Sequence, residues 1–111
     1  QALETAVVTE QRAEAALREW QRLAGQRTLA FCVSVRHADF MARVFSEAGI
    51  AAVAVHSGPT TAPRHEALFD LARGALRVVF SVDMFNEGVD VPEIDTVLLL
   101  RPTQSPIVFL Q

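Results

Sequence analysis

The chain has 111 residues, half of them apolar, and a formal net charge of −3. That length holds one domain at most and allows roughly two thirds of the unfolded surface to be buried. The apolar fraction excludes a disordered chain, and an acidic balance with no basic run excludes nucleic-acid binding by bulk electrostatics alone.

All ten basic residues are Arg and lysine is absent. The lysine of a phosphate-binding loop is therefore missing, and Schiff-base chemistry is excluded. The single cysteine, Cys32, has no internal disulfide partner and lies in an apolar run. It reads as the buried reduced thiol of a cytoplasmic protein. No stretch approaches the roughly eighteen consecutive apolar residues of a membrane span, so no membrane partner is expected. A start at Gln1, without a signal pattern, and an end at Gln111 inside an expected helix suggest a piece of a longer protein.

Residues 3–24 read as one amphipathic helix. Leu3, Val7, Ala13, Ala16, Leu17, Trp20 and Leu23 recur at three- and four-residue steps, and Glu14 and Arg18 have the spacing of an ion pair. Gly25 is a stop signal. Such a helix either docks on its own domain or serves a partner; its short apolar repeat favours the former. Residues 1–27 are therefore taken as a helix leading into a domain at 28–111.

Thr28 to Val33 is a continuous apolar run, as in a strand covered on both faces. Ser34 caps a helix to about Ala48, with Phe40, Met41, Val44, Phe45 and Ala48 inward, and Gly49 ends it. Ala51 to His56 is a second strand, followed by a turn cluster, Ser57-Gly58-Pro59-Thr60-Thr61. Pro63 sits in the first turn of a third helix with Leu68, Phe69, Leu71 and Ala72 on its apolar side. Leu76 to Ser81 and Thr96 to Leu100 are further strands. Ser105-Pro106 signals one more helix, with serine as cap and proline at its first position. This alternation predicts βαβ units and an α/β fold with a parallel sheet; strand order is not derivable from it.

Three of these strands end in small polar groups: Ser34, His56-Ser57-Gly58, and Ser81-Val82-Asp83. In a parallel sheet such ends share one edge, where hydroxyls and backbone N–H groups hold phosphates without lysine or arginine. Each has a structural alternative: Ser34 as helix cap, His56 as a hydrogen-bonded strand-end residue. His37 and His65 are expected to face solvent. The histidine spacing fits no zinc pattern, and the acids Asp83, Glu87, Asp90, Glu93 and Asp95 do not have the spacing of an EF-hand loop. No metal site is expected. Gly88 permits close backbone approach to a ligand, and Asp90 is placed to accept hydrogen bonds from sugar hydroxyls.

Several stretches taken together resemble the second RecA-like domain of superfamily 2 helicases and translocases, of the bacterial restriction and repair type. Leu29 to Val35 resembles motif IV. Val55-His56-Ser57-Gly58 resembles the strand end that touches the nucleic-acid backbone. Ser81 to Pro92, with its Glu87-Gly88-Val89-Asp90 core, resembles motif V. Leu100 to Pro106, running into Phe109-Leu110-Gln111, resembles the approach to motif VI. The order and spacing carry the resemblance; each piece alone is weak.

The resemblance implies a three-layer RecA-like domain of the P-loop NTPase superfamily, truncated near motif VI. It implies that Glu87, Gly88, Asp90 and Gln111 meet ATP, bound with Mg2+ in the intact protein. It implies that Ser34, Val35, Ser57, Gly58, Ser81 and Val82 contact DNA or, less readily, RNA. An N-terminal RecA-like domain of the same chain is the implied partner. The phosphate-binding loop, the magnesium-binding acids and the arginine finger are absent, so no catalytic residue is expected within these residues and the isolated chain is expected not to hydrolyse ATP. Two other readings stay open: a stand-alone α/β hydrolase with Asp83 at a strand end, and a non-catalytic interaction module that dimerises through its first helix.

Overall fold

A computed structural model describes residues 2–23 (with side chains from Glu10 onward), 25–82, 91–101 and 105–110. The elements are α1 (Ala2–Leu23), β1 (Thr28–Phe31), α2 (Val35–Glu47), β2 (Ala52–Val55), α3 (Arg64–Ala72), β3 (Val78–Ser81), β4 (Thr96–Leu99) and β5 (Ile107–Leu110).

Alternation along the strands sorts the core into two faces. Ala30, Ala54, Val78, Phe80 and Leu98 point to one side and pack against α1 and α2. Leu29, Val55 and Val79 point to the other, against Ala67 and Leu71 of α3. The result is helix, sheet and helix in three layers, as a sheet buried on both faces requires. The sheet order is β2-β3-β1-β4-β5. Strands β1 to β4 are parallel, with Thr28 level with both Val78 and Thr96, and Ala52 level with Val78.

The expected helix at Ser105-Pro106 is not formed; residues 107–110 make β5, antiparallel to β4, with Leu99 opposite Ile107 and Thr96 opposite Leu110. The capping signal is local, whereas β4 offers an open row of backbone donors and acceptors. The β-branched and aromatic run Ile107-Val108-Phe109 suits that edge. The sheet is consequently mixed rather than wholly parallel. Other differences are smaller. Pro63 is the cap of α3 rather than part of its first turn. Phe69 and Ala48 face solvent, and α3 buries Ala67 and Leu71 instead. Among the described residues, the ion pair on α1 joins Glu19 and Arg22 rather than Glu14 and Arg18.

The first helix docks on the domain. Ala13, Ala16 and Trp20 are buried, and the Trp20 ring lies 5.4 Å from that of Phe45, which in turn meets Phe80 edge-on at 4.9 Å. Trp20 Nε1 donates to Thr28 Oγ1 at 2.8 Å, which satisfies two buried polar groups at once. Arg77 stacks on the indole at 4.9 Å.

Asp95 secures the turn between α1 and β1. Its carboxylate accepts from the Gln26 amide at 2.8 Å, the Arg27 amide at 3.1 Å and Thr96 Oγ1 at 2.9 Å. A Cβ on Gly25 would fall 2.7 Å from that carboxylate, so the close approach requires glycine. Burial pushes the Asp95 carboxyl up, but the backbone hydrogen bonds outweigh it and hold the group below the usual carboxylate value. Asp95 thus serves the turn as a structural acid. Among the described residues no group of three or more His, Cys, Asp or Glu side chains is placed to hold a metal ion, and no helix is long and apolar enough to cross a membrane.

Candidate nucleic-acid interface

Because β1, β2 and β3 run parallel, Ser34, Ser57 and Ser81 all follow or end strands on one edge of the sheet. From β1 the chain crosses through α2 toward β2, while β4 lies on the opposite side of β1. Crevices open at such a reversal in an α/β sheet. A cleft of about 370 Å³ lies there, lined by Phe31, Cys32 and Val33 at the end of β1, Val82 after β3, and Leu99, Leu100 and Arg101 at the end of β4.

The candidate residues are placed unequally. Ser34 is exposed and caps α2, its Oγ accepting from the His37 amide at 3.1 Å; the hydroxyl proton remains to donate outward. Val35 is half-buried, and its Cγ1 approaches Gly58 so closely that a Cβ there would sit 3.2 Å away. The start of α2 and the turn after β2 therefore form one surface. Ser57 is exposed on it. Ser81 is fully buried, and its carbonyl accepts from the Cys32 amide at 2.7 Å, joining the ends of β1 and β3. Val82 is half-buried in the cleft wall. The residues expected to meet ATP, Glu87, Gly88, Asp90 and Gln111, together with Asp83, lie outside the described residues.

Behind the turn sits a polar network that sequence reasoning did not assemble. His56 Nε2 lies 2.8 Å from Asp39 Oδ1, Thr60 Oγ1 donates to Asp39 Oδ2, and the Gly58 amide donates to His56 Nδ1 at 2.9 Å. The His56 amide donates to Thr61 Oγ1 at 2.8 Å. Burial pushes the Asp39 carboxyl up; the hydrogen bonds from Thr60 and His56 outweigh it and leave the group below its usual value. The only sequence trace of the network is a histidine two residues before a turn glycine. Asp39 belongs to another element, so its part is purely tertiary.

His37 departs from expectation: it is half-buried, its Nδ1 is enclosed without a partner among the described residues, and burial lowers its pKa. His65 is exposed as expected. Cys32 is buried, and burial pushes its thiol up to about 12. Arg101 is exposed at the cleft rim, the one cationic group among the described lining residues, and was read from sequence only within the stretch that resembles the approach to motif VI. Its place two residues beyond the end of β4 is the signal that would have found it.

The model for the helicase conserved C-terminal domain matches residues 11–111. The chain belongs to that family. It is a superfamily 2 helicase C-terminal RecA-like domain. It is 37% identical over 87 residues to the 51.5 kDa protein of a Lactococcus phage (isolate 7-9), covering 78% of this chain and 19% of the phage protein. It is 36% identical over 84 residues to UvrABC system protein B of Chlamydia muridarum, covering 76% of this chain and 12% of that protein. The chain thus spans less than a fifth of these relatives. The Pyrococcus furiosus Hef helicase domain superposes with a TM-score of 0.61 at 24% identity, over 83% of this chain and 19% of that one. The C-terminal domain of S. cerevisiae Dbp5 superposes with a TM-score of 0.65 at 15% identity, over 78% of this chain and 49% of that one. At such identities the two structures attest the fold alone.

Proposed function

We propose that this chain is the second motor domain of an ATP-dependent helicase or translocase acting on DNA or RNA. The observation that carries the reading is the family match over 11–111 to a sheet whose polar strand ends share one edge. Ser34 and Ser57 supply exposed hydroxyls there, and Arg101 supplies a positive charge at the cleft rim. A phosphate backbone is gripped by such hydroxyls, by oriented amides and by a single guanidinium, without a basic face. This is how a domain of net charge −3 holds a polyanion weakly and releases it easily.

In this reading Glu87, Gly88, Asp90 and Gln111 form one wall of an ATP site, and an N-terminal RecA-like domain forms the other. ATP with Mg2+ would supply the free energy that drives the two domains together and apart. This chain's contribution is positional. Ser81 ends β3 and Val82 follows it beside the backbone-contacting edge, and Glu87, Gly88 and Asp90 come a few residues later in the sequence. That short sequence separation is what would couple the two ligands.

The test is phosphate release by the intact protein with single- and double-stranded DNA and RNA. Stimulation by one of these is expected, no turnover is expected from residues 1–111 alone, and Asp90→Ala is expected to reduce turnover at least tenfold in the intact protein, on the order of one lost transition-state hydrogen bond. Stimulated turnover by residues 1–111 alone would refute the division of the site between two domains.

A further inference from the structure

We propose that His56 is a positioning residue whose neutral imidazole, locked in one tautomer by Asp39, orients the turn so that Ser57 is its outward-facing donor. This rests on the reading of the turn as a backbone-phosphate contact.

The hydrogen-bond directions settle the tautomer. The Gly58 N–H can only donate, so His56 Nδ1, 2.9 Å away, must present its lone pair. The imidazole proton then sits on Nε2 and is donated to Asp39 Oδ1 at 2.8 Å. Asp39 is anchored in turn by the Thr60 hydroxyl. The ring is completely enclosed, whereas Asp39 reaches the surface. The network runs from α2 through the ring into the turn, and the Thr61 hydroxyl holds the other end through the His56 amide.

A consequence concerns which groups are free. The amide of Gly58 is consumed by the imidazole and cannot serve a phosphate. Neither the amide nor the hydroxyl of Ser57 has a partner among the described residues, and Ser57 is exposed. The Gly58 position is closed from behind by His56 and Val35, each 3.2 Å from where a Cβ would lie. The turn therefore presents the donors of Ser57, and His56 is what turns Gly58 away.

Two substitutions separate the arms of the imidazole. In His56→Asn the side-chain oxygen takes the place of Nδ1 and can accept from the amide two residues on, while the reach to Asp39 is lost. In His56→Gln the reach to Asp39 is kept and that short-range acceptor is lost. In the intact protein, His56→Asn is expected to bind a single-stranded oligonucleotide within about twofold of wild type, and His56→Gln about tenfold more weakly, the effect of one unsatisfied amide. Imidazole nitrogen NMR of the wild-type protein is expected to show a protonated Nε2 and a bare Nδ1. Asp39→Ala is expected to mix the tautomers and weaken binding by an intermediate factor.

Equal loss in both His56 variants, no loss in either, or a protonated Nδ1 in wild type overturns the proposal. Should the intact wild-type protein bind no oligonucleotide, the functional reading fails by itself. The imidazole spectrum and the hydrogen-exchange rate of the Gly58 amide, expected to rise in His56→Gln and not in His56→Asn, then still decide whether His56 holds the turn.

Discussion

Replacing Trp20 with alanine tests whether α1 is part of this domain's core or a helix kept for a partner. The indole is 2% exposed, so nearly its whole surface is withdrawn from water. A buried aromatic of this size removes about 200 Å² from solvent, about 5 kcal/mol at 25 cal/mol per Å². A compact unfolded state lowers that to about 3–4 kcal/mol. The lost hydrogen bond to Thr28 adds about 1 kcal/mol, since the Thr28 hydroxyl is fully enclosed. The expected cost of Trp20→Ala is therefore about 4–5 kcal/mol, a large part of the roughly 5–15 kcal/mol that holds a domain folded. Trp20→Phe keeps most of the ring contact with Phe45 and should cost about 1–2 kcal/mol. Urea unfolding followed by far-ultraviolet circular dichroism measures both, provided the two variants keep the same m-value. A loss below about 1 kcal/mol for Trp20→Ala would refute the packing argument and return α1 to the role of a partner helix.

Two further predictions concern titrating groups. The Cys32 thiol, buried and pushed up to about 12, should resist alkylation by iodoacetamide in the folded chain at about pH 8 and react at the rate of a free thiol in urea; rapid labelling of the native chain would show that β1 opens at its carboxyl end. Asp39 and Asp95 are held below their ordinary 3.8, so each binds fewer protons when folded than when unfolded. The stability they contribute is fully present above about pH 4 and is lost as pH falls through their lower folded values. The melting temperature should therefore drop on acidification below about pH 4, and less steeply in Asp95→Asn, where one of these two carboxyls no longer titrates; equally steep acid arms in both proteins would remove Asp95 from the account.

Much of the architecture is legible in the pattern of apolar residues. Thr28 to Phe31 and Val78 to Ser81 are apolar runs bounded by breakers, and a sheet covered on both faces demands such runs. Trp20 falls on the same helical stripe as Ala13 and Ala16, which is why the inward side of α1 could be named. The misreadings share one cause. Ser105-Pro106 carries a good helix-start signal, but four residues gain more by completing the edge of β4 than from a single helical turn. Phe69 has the hydrophobicity of a core residue yet lies on the solvent side of α3, because the short helix buries Ala67 and Leu71 against the sheet. His37 was expected in water, and the packing of α2 encloses half of it.

The candidate site divides in the same way. Its composition follows from sequence alone: small polar residues at the ends of successive parallel strands must meet on one edge, since the strands share one direction. Family membership is likewise carried by the order of motifs along the chain. What tertiary structure decides is which of those polar groups remain available. Ser34 gives its acceptor to a helix cap, Ser81 is enclosed, and the Gly58 amide is turned inward by an imidazole that Asp39 holds from a different helix. Ser57 is left facing outward. Chain order specifies the inventory of donors at a sheet edge, because pairing direction is a local consequence of βαβ units. Availability depends on contacts between residues far apart in sequence, such as the 17-residue separation of Asp39 and His56, and those exist only once the layers have packed.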